Sequence, residues 1–298
     1  MQELNGIIVI NKAKNYTSHD VVAKVKKILK LKKVGHTGTL DPNATGVLPL
    51  LLNSGTKLSK YLINHDKEYE VILKLGIKTD TLDSEGKILE ERKIDTAILQ
   101  NTENIKEVLN SFVGKQEQIP PIYSAIKVKG KKLYEYARSG EKVEVQARQI
   151  EIYNIELEKV DIKNEEIVFK VECSKGTYIR SLCEDIATRL GTIGYMKELN
   201  RTRVGSFRIE DSITLEELEK CENIKLKVLT MEELLKQKEK IILNKKQLEL
   251  FLNGVKLDND NQDGLYRIYS LDKQFIGIGV IEGNKLKRDI IENVNHTI

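Results

Sequence analysis

The chain of 298 residues has three cysteines, four histidines and no apolar run long enough to span a bilayer, and each scarcity removes a class of function. Cys173, Cys183 and Cys221 are odd in number and show no C-x-x-C spacing. Neither a disulfide framework nor a zinc knuckle is expected, and the three read as buried or incidental thiols. His19, His36, His65 and His296 include no pair at ligand spacing, so no metal is expected. No glycine-rich segment ends in GK[ST] or reads GxGxxG, which argues against a nucleotide phosphate loop. The G-x-S-x-G elbow of a Ser-His-Asp hydrolase is also missing. No stretch approaches the roughly 20 apolar residues of a membrane span. The N-terminal "MQELNGIIVINKAKN" lacks a basic region followed by a long apolar segment, so the expected setting is the cytoplasm.

What the chain does hold is charge, unevenly distributed. Hydrophobic residues make up 40% and charged residues 32%, a globular balance that allows two core-forming units at this length. The net charge is only +4, but residues 10–33 carry eight lysines against one aspartate, and residues 115–148 carry eight Lys or Arg against four Glu. Two basic segments on a mildly acidic body suggest a polyanionic partner. Lysines on solvated helix faces account for the same runs equally well.

Patterning gives a coarse outline. "GIIVINK" reads as a buried strand, and "TSHDVVAKVKKILK" as a helix with a Ser or Thr cap and Val21, Val22, Val25, Ile28 and Leu29 on one face. "GTKLSKYLIN" reads as a helix, "KEYEVILKLGI" as a strand, and "TENIKEVLNSFVG" as a helix ended by Gly114. A Pro-Pro break, a basic strand, a turn at Gly130 and a short helix capped by Gly140 follow. "RQIEIYNIELEKV" and "EEIVFKVECS" are adjacent strands, which favours antiparallel pairing. "TYIRSLCEDIATRLG" is a helix closed by Gly191 whose apolar face includes Cys183. Past a lysine-rich stretch near residue 238, one helix and several short β-units are expected.

The densest signal is "GHTGTLDPNATGVLPLLL" at residues 35–52. An Asp-Pro pair is ordinarily a turn, since aspartate accepts backbone hydrogen bonds there. This one follows the most basic segment, and with nucleotide, metal and serine chemistry set aside, Asp41 is a candidate nucleophile or acid/base beside a polyanion surface. Asp80 and Asp83 of "TDTLD" read equally as turn residues or RNA contacts.

"GHTGTLDPNATGVL" closely resembles the nucleophile motif of the TruB family of tRNA pseudouridine synthases. The resemblance continues in order through "KEYEV", "LGIKTDTLDSEG", "PPIYSAIKVKGKKLYEYARSGE", "CSKGTYIRSL" and "LNRTRVGSF". It implies cofactor-free isomerisation of uridine 55 in the T loop of tRNA, the base leaving its sugar at N1 and rejoining at C5. Asp41 would be the catalytic carboxylate. His36 would stack in the T loop, and Tyr69 would stack on the flipped uracil and take the C5 proton. Arg180 would pair with Asp41, Tyr178 would hydrogen-bond near the base, and Leu199 would line the pocket. Attack at C6, attack at C1′ and assistance to glycal formation all remain open.

The implied fold is α+β: a mixed, largely antiparallel sheet of the pseudouridine synthase type in residues 1–237, then a small β-rich PUA-like RNA-binding domain in 238–298. A thumb-like basic insertion is expected at about 115–148. The expected partner is the T arm of tRNA, with neither membrane nor obligate protein partner. Flipping a base costs a few kcal/mol, and stacking on an aromatic side chain returns roughly 1 to 3. The rival reading is a non-catalytic RNA-binding protein, which the basic segments alone support; a carboxylate paired with an arginine favours the enzyme.

Overall fold

In the computed structural model, which describes residues 4–63 and 65–292, the apolar run after Asp41 is a strand, Thr45–Leu52, buried along nearly its whole length. It belongs to a nine-stranded sheet. Seven strands form its path: β1 (Gly6–Lys12), β2 (Thr45–Leu52), β3 (Lys67–Leu75), β4 (Gly114–Gln118), β5 (Arg148–Asp161), β6 (Glu166–Cys173) and β7 (Gly194–Val204). Their spatial order is β1-β2-β7-β3-β6-β5-β4, with Val34–His36 added on β2 and Phe207–Arg208 on β7. Among the described residues, β2 with β7 is the one parallel strand pair of this sheet, Asn200 facing Thr45 and Arg201 facing Gly46. The sheet is therefore mixed and largely antiparallel.

Strand β3 shows how the sheet positions function. Its residues alternate buried and half-buried from Lys67 to Leu75, so Lys67, Tyr69, Val71, Leu73 and Leu75 share one face. That face packs on the helix Ile179–Arg189, whose Ile179, Leu182, Cys183, Ile186 and Ala187 join the same core. On the other flank, the helix Ser18–Ile28 starts at a reciprocal Thr17–Asp20 capping box and buries Val21 and Val25 against β1 and β2.

A second sheet runs Lys240–Leu243, Gly264–Ser270, Phe275–Glu282, Lys285–Ile291 and Leu257–Asp258, closed over by the helix Lys245–Leu252 through Phe251. Its Tyr269, Phe275, Ile278 and Ile290 pack against Ile7, Val9, Val47 and Leu58 of the first unit. Asp289 also takes hydrogen bonds from both Lys60 and Tyr61. Among the described residues no helix is long and apolar enough to cross a membrane and no group of side chains could hold a metal; His296 lies outside them.

Three local expectations change. The helix expected to run to Gly114 is Thr102–Asn110; Phe112 and Val113 turn back onto Leu109 and Asn110, and Gly114, at φ 109°, opens β4. "GTKLSKYLIN" is a 3-10 turn, Asn53–Leu58, followed by one helical turn, Ser59–Leu62. Strand β7 had not been expected, because Lys197, Glu198, Asn200, Arg201 and Arg203 interrupt any apolar alternation.

Candidate active site

The Asp41 loop leaves the short strand Val34–His36 and enters β2 at Thr45, and three buried polar side chains hold its backbone. Ser18, on the first turn of its helix, accepts the Leu40 N–H at 2.8 Å and donates to the Leu40 carbonyl at 3.1 Å. Lys12, the last residue of β1, donates to the carbonyls of Ala13, Tyr16 and Pro42 at 3.0, 2.6 and 2.9 Å. Arg201, on β7, donates to Gly38, Thr39 and Val47 carbonyls at 3.2, 3.4 and 2.8 Å. Each anchor satisfies backbone groups that a buried loop would otherwise leave unpaired. The backbone on both sides of Asp41 is fixed while its carboxylate stays 39% exposed.

Arg180, on the first turn of the helix Ile179–Arg189, meets that carboxylate: its Nε lies 3.1 Å from Asp41 Oδ2. The contact is single, not a two-pronged pair. Nη1 donates to the Thr81 carbonyl at 3.1 Å and lies 3.5 Å from Asp83 Oδ2, while Nη2 donates to the Tyr123 carbonyl at 3.0 Å. The buried guanidinium thus ties together the Asp41 loop, the "TDTLD" turn and the segment at Tyr123. Asp83 is at once a turn residue, accepting from Thr81 Oγ1 and Glu85 N–H, and a partner of Arg180. Asp80 caps the same turn through the Lys87 N–H.

A cavity of about 470 Å³ opens over Asp41, with Tyr69, Tyr178, Arg180, Leu199, Arg201 and Lys67 among its walls. Tyr69 faces Arg201 across the β3–β7 ladder. Burial pushes its phenol up to about 12, with Arg201 pulling the other way. Burial also brings the Lys12 ammonium down to about 8, opposed by the nearby Asp41. Tyr178 precedes the Arg180 helix, its backbone N–H and carbonyl both bonded to the buried amide of Gln118. His36 is half-buried and does not line the cavity; its Nδ1 has no hydrogen-bond partner among the described residues, and burial lowers its pKa.

The sequence reading missed Lys12, Ser18, Lys67 and Arg201. Lys12 belongs by sequence to the basic segment at residues 10–33, yet it is fully buried. The available signal for Arg201 was its place in "LNRTRVGSF", two residues after Leu199.

Three family models match: TruB family pseudouridylate synthase (N terminal domain) at residues 26–179, tRNA pseudouridylate synthase B C-terminal domain at 180–240, and Pseudouridine synthase II TruB, C-terminal, at 240–287. The tRNA pseudouridine synthase B of Clostridium tetani is 49% identical over 93% of this chain and 95% of its own. That of Alkaliphilus oremlandii is 44% identical over 93% of each chain. Among solved structures, the crystal structure of a Cbf5-Nop10-Gar1 complex aligns with a TM-score of 0.69 at 27% identity, covering 97% of this chain and 84% of that one.

Proposed function

Because this chain belongs to the TruB family of pseudouridylate synthases, we propose that it isomerises uridine 55 in the T loop of tRNA, with Asp41 as the nucleophile. At the coarser level it is a tRNA pseudouridine synthase, an isomerase. The observation that carries the finer reading is the Asp41–Arg180 contact at 3.1 Å, at the mouth of a cavity with an aromatic wall.

The chemistry balances within the substrate. The N1–C1′ bond breaks, C5 bonds to C1′, and the proton that C5 loses matches the one that N1 gains, so no redox partner is consumed. Asp41 supplies the transient covalent partner. The oriented carboxylate and the fixed loop together hold the nucleophile in one attack geometry. Tyr69 is the stacking platform for the flipped uracil. With its phenol near 12 it enters the reaction neutral, so it passes its own proton to N1 and takes in exchange the one that C5 loses, Arg201 beside it favouring the intervening phenolate. Tyr178 and Leu199 border the base, and His36 is assigned to stacking within the T loop. The same reading divides the chain into a catalytic part, 1–237, with a basic thumb at about 115–148, and an RNA-binding part, 238–298, acting in the cytoplasm on the T arm.

The test is pseudouridine mapping of unmodified tRNA after incubation with the parent protein and with Asp41→Asn. The parent should modify position 55, and the variant should bind within about tenfold while forming no product. Turnover by Asp41→Asn above a few per cent of the parent rate would remove Asp41 from the nucleophilic role, and product at another uridine would move the target site.

A further inference from the structure

We propose that Lys67 binds a phosphate flanking the flipped nucleotide, an anion contact made inside the cavity; this rests on the pseudouridine synthase reading above. Lys67 opens β3 two residues before Tyr69, and the buried alternation of that strand puts both side chains on one face. Two residues of extended chain separate them by about 6.6 Å, which is comparable with the reach from a pyrimidine ring across its ribose to the phosphate. Both residues line the cavity. A base on Tyr69 therefore brings its backbone to Lys67.

Lys67 also has no carboxylate at ion-pair distance among the described residues: its chain neighbour Asp66 attracts it without pairing, and Asp66 accepts from the Tyr153 hydroxyl instead. Lys67 is 9% exposed, and its Nζ donates to the His65 carbonyl. A neutral carbonyl satisfies one of three ammonium donors and none of its charge. Burying a cation without an anion is costly, and burial does lower the pKa of this one, with Arg201 adding to the effect. Arg201 flanks the same spot: a Cβ placed on Gly38 would lie 3.8 Å from Arg201 Nη1 and 4.0 Å from Lys67 Cε. The Asp41 carboxylate is engaged by Arg180. Uracil is neutral and calls for no ammonium. The phosphate that arrives with it supplies the missing charge and accepts the remaining N–H groups.

The experiment uses T-arm RNA carrying a single methylphosphonate, on the 5′ or the 3′ side of the target uridine, with the full-length parent protein, Lys67→Ala and Lys67→Arg. Affinity and single-turnover rate are both read. One of the two neutral linkages should weaken parent binding about tenfold and Lys67→Ala less than about twofold, while Lys67→Arg keeps the sensitivity. Equal losses for parent and Lys67→Ala at both linkages would overturn the proposal and leave Lys67 as a brace on the His65 carbonyl. Should Lys67→Ala not fold, Lys67→Met keeps the stem without the charge and carries the same comparison. Coupling in affinity without any pseudouridine from the parent would defeat the proposed function alone; normal turnover without coupling would defeat only this inference.

Discussion

The Asp41 loop and the basic segment from Lys127 to Arg148 both face the substrate in this reading, yet they are built in opposite ways. The loop is held by Ser18, Lys12 and Arg201, all buried, each bonded to loop backbone. The basic segment is a two-residue hairpin, Lys127–Val128 with Lys131–Lys132, followed by the helix Leu133–Ser139, with Leu133 its one fully buried apolar residue. Its cations rest on its own aromatic rings, Lys131 at 4.6 Å from the centre of Tyr136 and Arg138 at 5.3 Å from that of Tyr134. A nucleophile works only at one geometry, so its loop is braced from three sides. A surface that gathers phosphates gains from side chains that can leave one partner for another.

The sharpest way to break this contrast is Arg180→Lys. If bracing matters, an ammonium that cannot reach Asp41, Asp83 and the two carbonyls together should lower single-turnover rate at least about a hundredfold, on the order of 2.7 kcal/mol, while tRNA affinity changes little. Near-normal turnover would show that one positive charge suffices, and parallel loss of binding and rate would make Arg180 an ordinary phosphate contact. A smaller effect is expected on the other side of the comparison. Replacing Lys129, Lys131 and Lys132 together with Ala should weaken binding and flatten its salt dependence, each lost phosphate contact removing roughly 0.7 to 0.9 from the log-log slope, with single-turnover rate at saturation preserved. An unchanged slope would take this segment off the RNA.

The smallest effect concerns the brace itself. The Lys12 pKa is about 8 in the fold against 10.5 for the ordinary side chain, so between those values the unfolded chain holds more protons than the folded one. Stability must then rise with pH across that window, since raising pH favours the state with fewer bound protons. The melting-temperature advantage of the parent over Lys12→Met should therefore widen from about pH 8 towards pH 10. A constant difference would mean that Lys12 keeps its proton throughout.

How far the sequence could be read follows the same division. The Asp41 loop, the Arg180 helix and strand β3 are legible because each carries a local signature: small residues around one carboxylate, a 3.6-residue apolar stripe, a two-residue alternation. Strand β7 and the anchors are not. Arg201 and Lys12 are charged residues wholly inside the protein, and local pattern assigns such residues to the surface, because backbone carbonyls that the fold brings round them, from Gly38, Thr39 and Val47 for Arg201 and from Ala13, Tyr16 and Pro42 for Lys12, make their burial tolerable. Lysines that looked alike in residues 10–33 differ completely in place: Lys12 is interior, whereas Lys24 is exposed and bonded to the Tyr16 hydroxyl. That Thr37 lines the cavity while His36, one residue earlier, does not is likewise invisible locally.

The parallel join of β2 and β7 bears on how the protein comes to life during synthesis. Arg201 reaches a carbonyl 154 positions earlier in the chain, and Gly46 sits so close to it that a Cβ there would lie 2.2 Å from the Arg201 carbonyl oxygen. A nascent chain that has released Asp41 but not β7 has the Asp41 loop without one of its three anchors, and closing so long a loop is slow. Ribosome-bound chains halted before residue 194 would consequently be silent towards tRNA.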